Sequence, residues 1–296
     1  MKDIQIVSEP YPPSAWNTTV ARGIDQYNVA MTGCSDYYPV GLFIKGTAGQ
    51  IVGGLLGDIW GGWLHVGSLW VDPSLRGHGY ATELMTRAER YALGKSCTDA
   101  FLRTGSYEAR PLYEKLGYHV YGELSDHPVK PHRRYFMTKR LESGTESHPH
   151  ISELEIAMEP YASASHVGVI RDGIYLHAAA AIGLPENAGS QFGYFLRDDN
   201  GEIRGGALGN LWGDWMYLAS LWVDTPLRGS GYAGKLVAAA EEHAIAQRCC
   251  NAFLDTLNPR ARPVYEKLGY RIFAELKDHP KGYNHYKLSK RLVSKS

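Results

Sequence analysis

Two short stretches hold the residues best suited to chemistry. Arg76-Gly-His-Gly-Tyr-Ala81 and Arg228-Gly-Ser-Gly-Tyr-Ala233 share the pattern Arg-x-x-Gly-x-Ala. Each follows an apolar run, Leu69-Trp70-Val71 or Leu221-Trp222-Val223, with the spacing of a strand. Each also precedes helical spacing, through Leu84, Met85, Ala88, Tyr91 and Ala92 in one case and Leu236, Val237, Ala240 and Ala244 in the other. A strand that passes through such a loop into a helix leaves backbone N–H groups unpaired beside the positive end of the helix dipole. That arrangement binds phosphate or pyrophosphate.

Other glycine loops fit less well. A Walker A loop needs Gly-Lys-Ser/Thr, which neither stretch has. Gly229, Gly231 and Gly234 satisfy the dinucleotide fingerprint, and Asp255 follows at a suitable distance. Copy one breaks that pattern with Thr82 and Arg103, and Asp224-Thr-Pro-Leu-Arg228 separates the strand from the first glycine.

The elements around the loops are duplicated too. Ile51-Val-Gly-Gly-Leu-Leu-Gly57 pairs with Ile203-Arg-Gly-Gly-Ala-Leu-Gly209, and Tyr113-Glu-Lys-Leu-Gly-Tyr118 recurs unchanged at Tyr265 to Tyr270. Asp126-His127-Pro128 recurs as Asp278-His279-Pro280. The offset is 152 over most of the chain and 150 near each start, which puts a two-residue length change in an early loop. The repeat predicts two domains, 1–142 and 152–296, joined by a polar linker at 143–151. Within copy one we expect a strand at 4–7, a helix at 14–27, and strands at 40–45, 50–56 and 63–71. The loop and its helix follow, then a strand at 100–104, a helix from 108 to 117, and strands at 119–124 and 134–141. Sequential strands with helices between them imply an α+β fold, a mixed but mostly antiparallel twisted sheet flanked by helices.

The 31 basic residues equal the 31 acidic ones, so no field gathers nucleic acid or anionic lipid. Four cysteines fall at no zinc-site spacing and at unmatched positions in the copies, so thiols and no metal are expected. No apolar stretch suits a signal peptide or a membrane span, and the expected location is the cytoplasm.

Arg-x-x-Gly-x-Ala, followed by a helix, a strand and a second helix ending in Tyr-Glu-Lys-Leu-Gly-Tyr, resembles the GNAT acyltransferase superfamily. The likeness spans nearly all of each copy, as in a tandem two-domain member. It implies that acetyl-coenzyme A binds along Leu69, Trp70 and Val71 and the loop Arg76, Gly77, His78, Gly79, Tyr80 and Ala81. In copy two it implies Leu221, Trp222, Val223, Arg228, Gly229, Ser230, Gly231, Tyr232 and Ala233. The family's acid, which protonates the departing thiolate, maps to Tyr113 and Tyr265. A free tyrosine near ~10 and a thiol near ~8.5 differ by roughly 2 kcal/mol, a small obstacle. The family's Asn-x-x-Ala-x-x-x-Tyr is met by Asn258, Ala261 and Tyr265, whereas copy one has Ser106 in place of the asparagine.

An attacking amine must shed a proton. The position of the family's carboxylate base holds His65, a residue type suited to accepting it. Copy two has Tyr217 there, and its nearest acid is Asp214. Trp60, Trp63, Trp212 and Trp215 flank Gly-rich turns, where they either fill the core or wall an acceptor pocket open to cation–π contact. His127 and His279, in the Asp-His-Pro turns, are further acceptor-side candidates. The expected activity is N-acetyl transfer from acetyl-CoA to a primary amine of a small molecule through a direct ternary complex. The alternatives are one catalytic copy beside a structural or acetyl-CoA-sensing one, or acetylation of a protein or peptide. The tandem copies predict a pseudo-dimeric monomer or a homodimer.

Overall fold

The computed structural model describes residues 4–142, 154–185 and 188–293; the expected linker at 143–151 lies outside the described residues. Copy one supplies β1 (Ile4–Ser8), α1 (Ser14–Thr32), β2 (Tyr37–Lys45), β3 (Ile51–Trp60), β4 (Trp63–Val71), α2 (Tyr80–Gly94), β5 (Asp99–Gly105), α3 (Arg110–Lys115), β6 (His119–Ser125) and β7 (Arg133–Arg140). Copy two repeats the order as β8 (Glu155–Met158), α4 (Ala164–Ile182), β9 (Gly189–Asp198), β10 (Ile203–Trp212), β11 (Trp215–Val223), α5 (Tyr232–Ala246), β12 (Asn251–Thr256), α6 (Arg262–Lys267), β13 (Arg271–Leu276) and β14 (His285–Arg291). The two-residue change falls between α1 and β2, where copy two is the longer.

Among the described residues each sheet has seven strands, in the orders β6-β7-β5-β4-β3-β2-β8 and β13-β14-β12-β11-β10-β9-β1. Among the described strands only β4 with β5, and β11 with β12, run parallel. The fold is therefore the expected α+β architecture.

The spatial units do not follow the sequence boundaries at 142 and 152. β8 of copy two closes the first sheet through Leu42↔Met158 to Lys45↔Glu155, and β1 of copy one closes the second through Ile4↔Asp198 to Ser8↔Tyr194. The helices are exchanged with the strands. Val20 of α1 is fully buried in a cluster with Phe195 and Ile203, against Ile24 and Trp222. Ile170 of α4 is equally buried, on Gly54 of β3. Each such side chain contributes about 1.5–3 kcal/mol when taken from water, and it is the other copy that supplies the cover.

Glycine makes the fit possible at two matched points. A Cβ on Gly23 would stand 2.1 Å from the Trp222 indole, and one on Gly173 would stand 2.3 Å from that of Trp70. A third contact surface joins the halves, where Leu124, Phe136, Trp215 and Phe253 form a buried cluster. Trp63 Nε1 donates to the Asp278 carbonyl at 2.8 Å, and Trp215 Nε1 donates to that of Asp126 at 2.7 Å. Each tryptophan thus anchors the Asp-His-Pro turn of the opposite copy.

Candidate active site

The strand before each loop parts from its neighbour. β4 pairs with β5 only from Trp63↔Asp99 to Val66↔Leu102, although both strands run on. β11 and β12 likewise separate after Leu218↔Leu254. At the same point the ladder on the other side skips Gly67 in one copy and Ala219 in the other, so each strand is bulged and bends away. Backbone groups at 68–71 and 220–223 then face a cleft with no strand to pair them.

The loops complete the cleft. Gly77, Gly79, Gly229 and Gly231 have φ of +81, +84, +80 and +80°, in the region that favours glycine. No atom lies within 4 Å of a Cβ built on Gly77, Gly229 or Gly231, so the space over these glycines is open. Gly79 and Gly231 cap α2 and α5 without a side-chain hydrogen bond, which leaves the first-turn N–H groups free for an anion. Arg76 Nε donates to the Val71 carbonyl at 3.0 Å, and Arg228 Nε to that of Val223 at 2.9 Å. Both guanidinium groups are thereby fixed beside the loop.

Copy one's cleft, about 450 Å³, is lined by Leu69, Trp70, Val71, Arg76 and Ala81 together with Tyr113. Copy two's, about 840 Å³, brings together Leu221, Trp222, Val223, the loop from Arg228 to Ala233 except Ser230, Asn258 and Tyr265. His78 and Ser230 sit on the exposed side of their loops, and Tyr80 is packed in the core, while its counterpart Tyr232 reaches the cleft. Burial raises the hydroxyl pKa of both Tyr113 and Tyr265, so each holds its proton across the neutral range.

Several expected residues lie elsewhere. His65 stacks on Phe101 with centroids 4.8 Å apart, binds Asp58 at 3.1 Å and is not among the residues lining copy one's cleft. Its direction is set by the strand: the side chain crosses toward the other half, where it adds to the field on His279 and His285. Asp214 sits at the β10–β11 turn, with its N–H donating to the Pro128 carbonyl at 2.8 Å. It precedes Ala219, where the cleft begins, by roughly 16 Å of extended strand. Ser106 is drawn to β7, where its Oγ accepts the Arg133 N–H at 3.1 Å, and it too is outside the cleft.

His127 and His279 are buried, not solvated, because each packs on the opposite copy's tryptophan, at 5.3 Å from Trp215 and 5.0 Å from Trp63. Trp60 Nε1 donates to the Cys34 carbonyl. Trp212, Trp215 and His127 do line a chamber, but it is the one adjoining copy one's cleft.

Two groups of cleft residues escaped the sequence pattern. The exchanged helices wall the opposite clefts, with Ile174 and His177 on copy one and Ile24, Tyr27 and Asn28 on copy two. Tyr27 OH donates to Asn258 Oδ1 at 3.0 Å and its ring lies under Arg228. The second group is polar. Asp255 lines copy two's cleft and accepts from Tyr217 OH at 2.9 Å and His285 Nε2 at 2.7 Å, with Lys287 Nζ at 3.5 Å. Burial alone would raise the Asp255 pKa, but Lys287, His285 and Arg103 overcome it and hold the carboxylate well below its usual range. His285 Nδ1 meets His279 Nδ1 at 3.0 Å, so neither of its nitrogens is spare. The visible sign was a charged residue inside an apolar strand: Arg103 in copy one and Asp255 in copy two.

With this geometry, the family model described as the acetyltransferase (GNAT) family matches residues 4–118 and 161–270. The chain belongs to the GNAT family. It is an acetyl-CoA-dependent acetyltransferase. An acetyltransferase of Agrobacterium fabrum is 32% identical over 123 residues, covering 42% of this chain and 88% of that protein. The blasticidin-S acetyltransferase of Streptomyces morookaense is 34% identical over 95 residues, 32% of this chain and 70% of the relative. The crystal structure of an acetyltransferase from Bacillus cereus is 33% identical and covers 44% of this chain and 94% of its own, with a TM-score of 0.41. The GNAT donor, acetyl-CoA, suits what each cleft offers: an unpaired strand edge for an amide-bearing arm and an open glycine loop for a diphosphate.

Proposed function

We propose that the protein transfers acetyl from acetyl-CoA to a primary amine of a small molecule, by direct attack within a ternary complex. What supports this most is that in each copy one cleft joins the unpaired strand edge and a buried tyrosine to the glycine loop, through its ends Arg76 and Ala81 in copy one and through Gly229 and Gly231 as well in copy two. When bound, the donor supplies an activated acyl carbonyl and a sulfur leaving group. Backbone N–H groups at 68–71 and 220–223 donate to the carbonyl oxygen as charge grows on it. The hydroxyls of Tyr113 and Tyr265 hold the proton that the departing sulfur takes. In copy one, Glu108 lines the cleft, and its carboxylate receives the proton that the amine sheds. The name of the Streptomyces relative, a blasticidin-S acetyltransferase, supports a small-molecule acceptor.

The test is to incubate the full chain with acetyl-CoA and a panel of primary amines while following free thiol. Acceptor-dependent thiol release is expected. Silence across the panel, with acetyl-CoA binding intact by calorimetry, overturns the proposal.

A further inference from the structure

Beyond the donor cleft of copy one lies a chamber of about 840 Å³ that both copies build. Ser68, Arg103, Glu108, Arg134 and Ile174 line cleft and chamber alike, so the two spaces meet there. The chamber's charge is one-sided. Among the described residues, Arg103, Arg134 and Arg171 face it, against the single carboxylate of Glu108. The other titratable groups on its wall are His127 and the tyrosines Tyr11, Tyr107, Tyr175 and Tyr217. Glu108 Oε2 is occupied by the Gly105 N–H at 2.7 Å and the Thr104 hydroxyl at 3.0 Å.

The hydrogen-bond partners of Arg103 and Arg134 are neutral, while Glu108 attracts Arg134 from beyond ion-pairing distance. Arg134 Nε donates to His127 Nδ1 at 3.2 Å and the same side chain bonds Tyr107. Arg103 lies 5.0 Å over the Tyr217 ring, and Asp255 attracts it from behind that tyrosine. Among the described residues no carboxylate is within ion-pairing distance of Arg103, Arg134 or Arg171. A half-buried guanidinium is a planar fork of donors that matches a carboxylate in two bonds.

Copy two shows that the fold does not require these arginines. Through the registers Leu102↔Met137 and Leu254↔Leu288, Asp255 takes the place of Arg103 and His285 that of Arg134. Arg260 stands where Glu108 does. The same tryptophan and Asp-His-Pro joints persist although two of these three positions reverse their charge.

We propose that copy one takes as acceptor a small primary amine that carries a carboxylate. The carboxylate sits on Arg134 and Arg103, and the amine lies toward Glu108 and the donor cleft. Trp212, Trp215 and Phe253 cover the apolar part of the molecule. This rests on the acetyl-transfer proposal above and names the substrate class for one of its two sites.

The experiment uses the full chain in a Tyr265→Phe background, so that copy one dominates turnover. Free L-amino acids are compared with the same amino acids as carboxamides, which lack the anionic group, at a pH high enough that both α-amines are largely unprotonated. We expect the acids to have KM values at least tenfold lower, with Arg134→Gln and Arg103→Gln each erasing the preference and Arg134→Lys restoring part of it. Calorimetry of the same pairs against protein preloaded with coenzyme A gives a readout independent of turnover. Carboxylate-dependent binding that Arg134→Gln abolishes, without turnover, supports the anion site while acetyl transfer fails. Equal handling of acid and amide, or a preference that survives Arg134→Gln at unchanged melting temperature and acetyl-CoA affinity, overturns the proposal. So does the absence of both turnover and binding.

Discussion

The two clefts share the backbone that would hold a donor, differ at one matched side chain beside it, Ser106 against Asn258, and diverge in charge where an acceptor would lie. Both have a bulged strand, two left-handed glycines, an arginine tied to the strand's end and a buried tyrosine. The next strands then bear opposite charges at one position, Arg103 against Asp255. A diphosphate and an amide arm make the same demands of any protein that binds them, so backbone geometry meets those demands in both copies. Acceptor contacts are made by side chains, which can change without disturbing a main-chain hydrogen bond. The duplicated chain thus holds one cleft geometry in two versions, each walled by a helix from the other copy.

Removing the tyrosine hydroxyls puts that equivalence to its hardest trial. Tyr113→Phe with Tyr265→Phe should lower kcat by about 100-fold or more, the range for loss of a general acid. Acetyl-CoA affinity should change little. The single variants then apportion turnover between the clefts, and steady-state thiol release with each acceptor class reads the division. If the double variant keeps more than half the activity, the tyrosines pack but do not donate.

The exchanged helices should respond alike in the two halves. Gly23→Ala and Gly173→Ala each drive a methyl into an indole ring, and overpacking of this kind costs about 1–3 kcal/mol. Gly168→Ala, with nothing within 4 Å of the new methyl, is the internal contrast. It should stabilise α4 by roughly 0.5–1 kcal/mol through helix propensity. Denaturant unfolding measures all three. Equal stability of Gly23→Ala and the parent would mean that α1 does not hold Trp222 as tightly as its spacing requires.

Most of the fold and the donor end of the site were legible because they depend on periodicity and glycine, both local properties. The strand into Val71, the turn at Gly79 and the helix from Tyr80 follow from residues adjacent in the chain. Exchange of β1 and α1 was not legible, since Val20 and Ile24 mark an apolar helix face without saying which sheet covers it. His65 holds the position of the family's carboxylate base and Asp214 is the nearest acid in copy two, yet a side chain's target depends on the neighbouring strand and on the other half of the molecule. Ser106 was expected to stand in for asparagine, but a backbone N–H of β7 claims its hydroxyl. The pairing of Trp63 with Asp278 and of Trp215 with Asp126 needed three dimensions, although both partners were visible as repeats.

Acid should affect copy two's polar network more than copy one's arginines. His279 and His285 are buried, and burial with neighbouring positive charge lowers both, His285 to about 4. The unfolded chain binds protons below the ordinary histidine value near ~6.5 that the fold refuses. Their contribution to stability is therefore complete above that pH and declines as pH falls toward about 4. Asp255, depressed in the fold, adds to the loss in the carboxylate range below. Each such proton tilts stability by about 1.4 kcal/mol per pH unit. Urea unfolding at stepped pH should show the slope between about 6.5 and 4, to which the buried His127 of copy one also contributes, and His285→Gln should reduce it by one histidine's share. A slope unchanged by that substitution would place the titrating groups elsewhere.

The smallest effect sharpens the comparison at the donor end. Asn258 Oδ1 accepts from Tyr27 OH and from the Arg260 N–H at 2.9 Å, so it joins the exchanged helix to the wall of copy two's cleft. Truncation to alanine strands both donors, and a neutral hydrogen bond is worth about 1 kcal/mol net. Asn258→Ala should therefore weaken acetyl-CoA binding at copy two by roughly five- to tenfold, and Tyr27→Phe by somewhat less. Ser106→Ala should leave copy one's donor affinity unchanged, because that hydroxyl serves β7 instead of the cleft. Calorimetry with acetyl-CoA, fitted to two sites, separates the outcomes. Were Ser106→Ala to weaken one site as Asn258→Ala weakens the other, the two donor walls would be functionally matched. The difference between the copies would then be confined to the acceptor side.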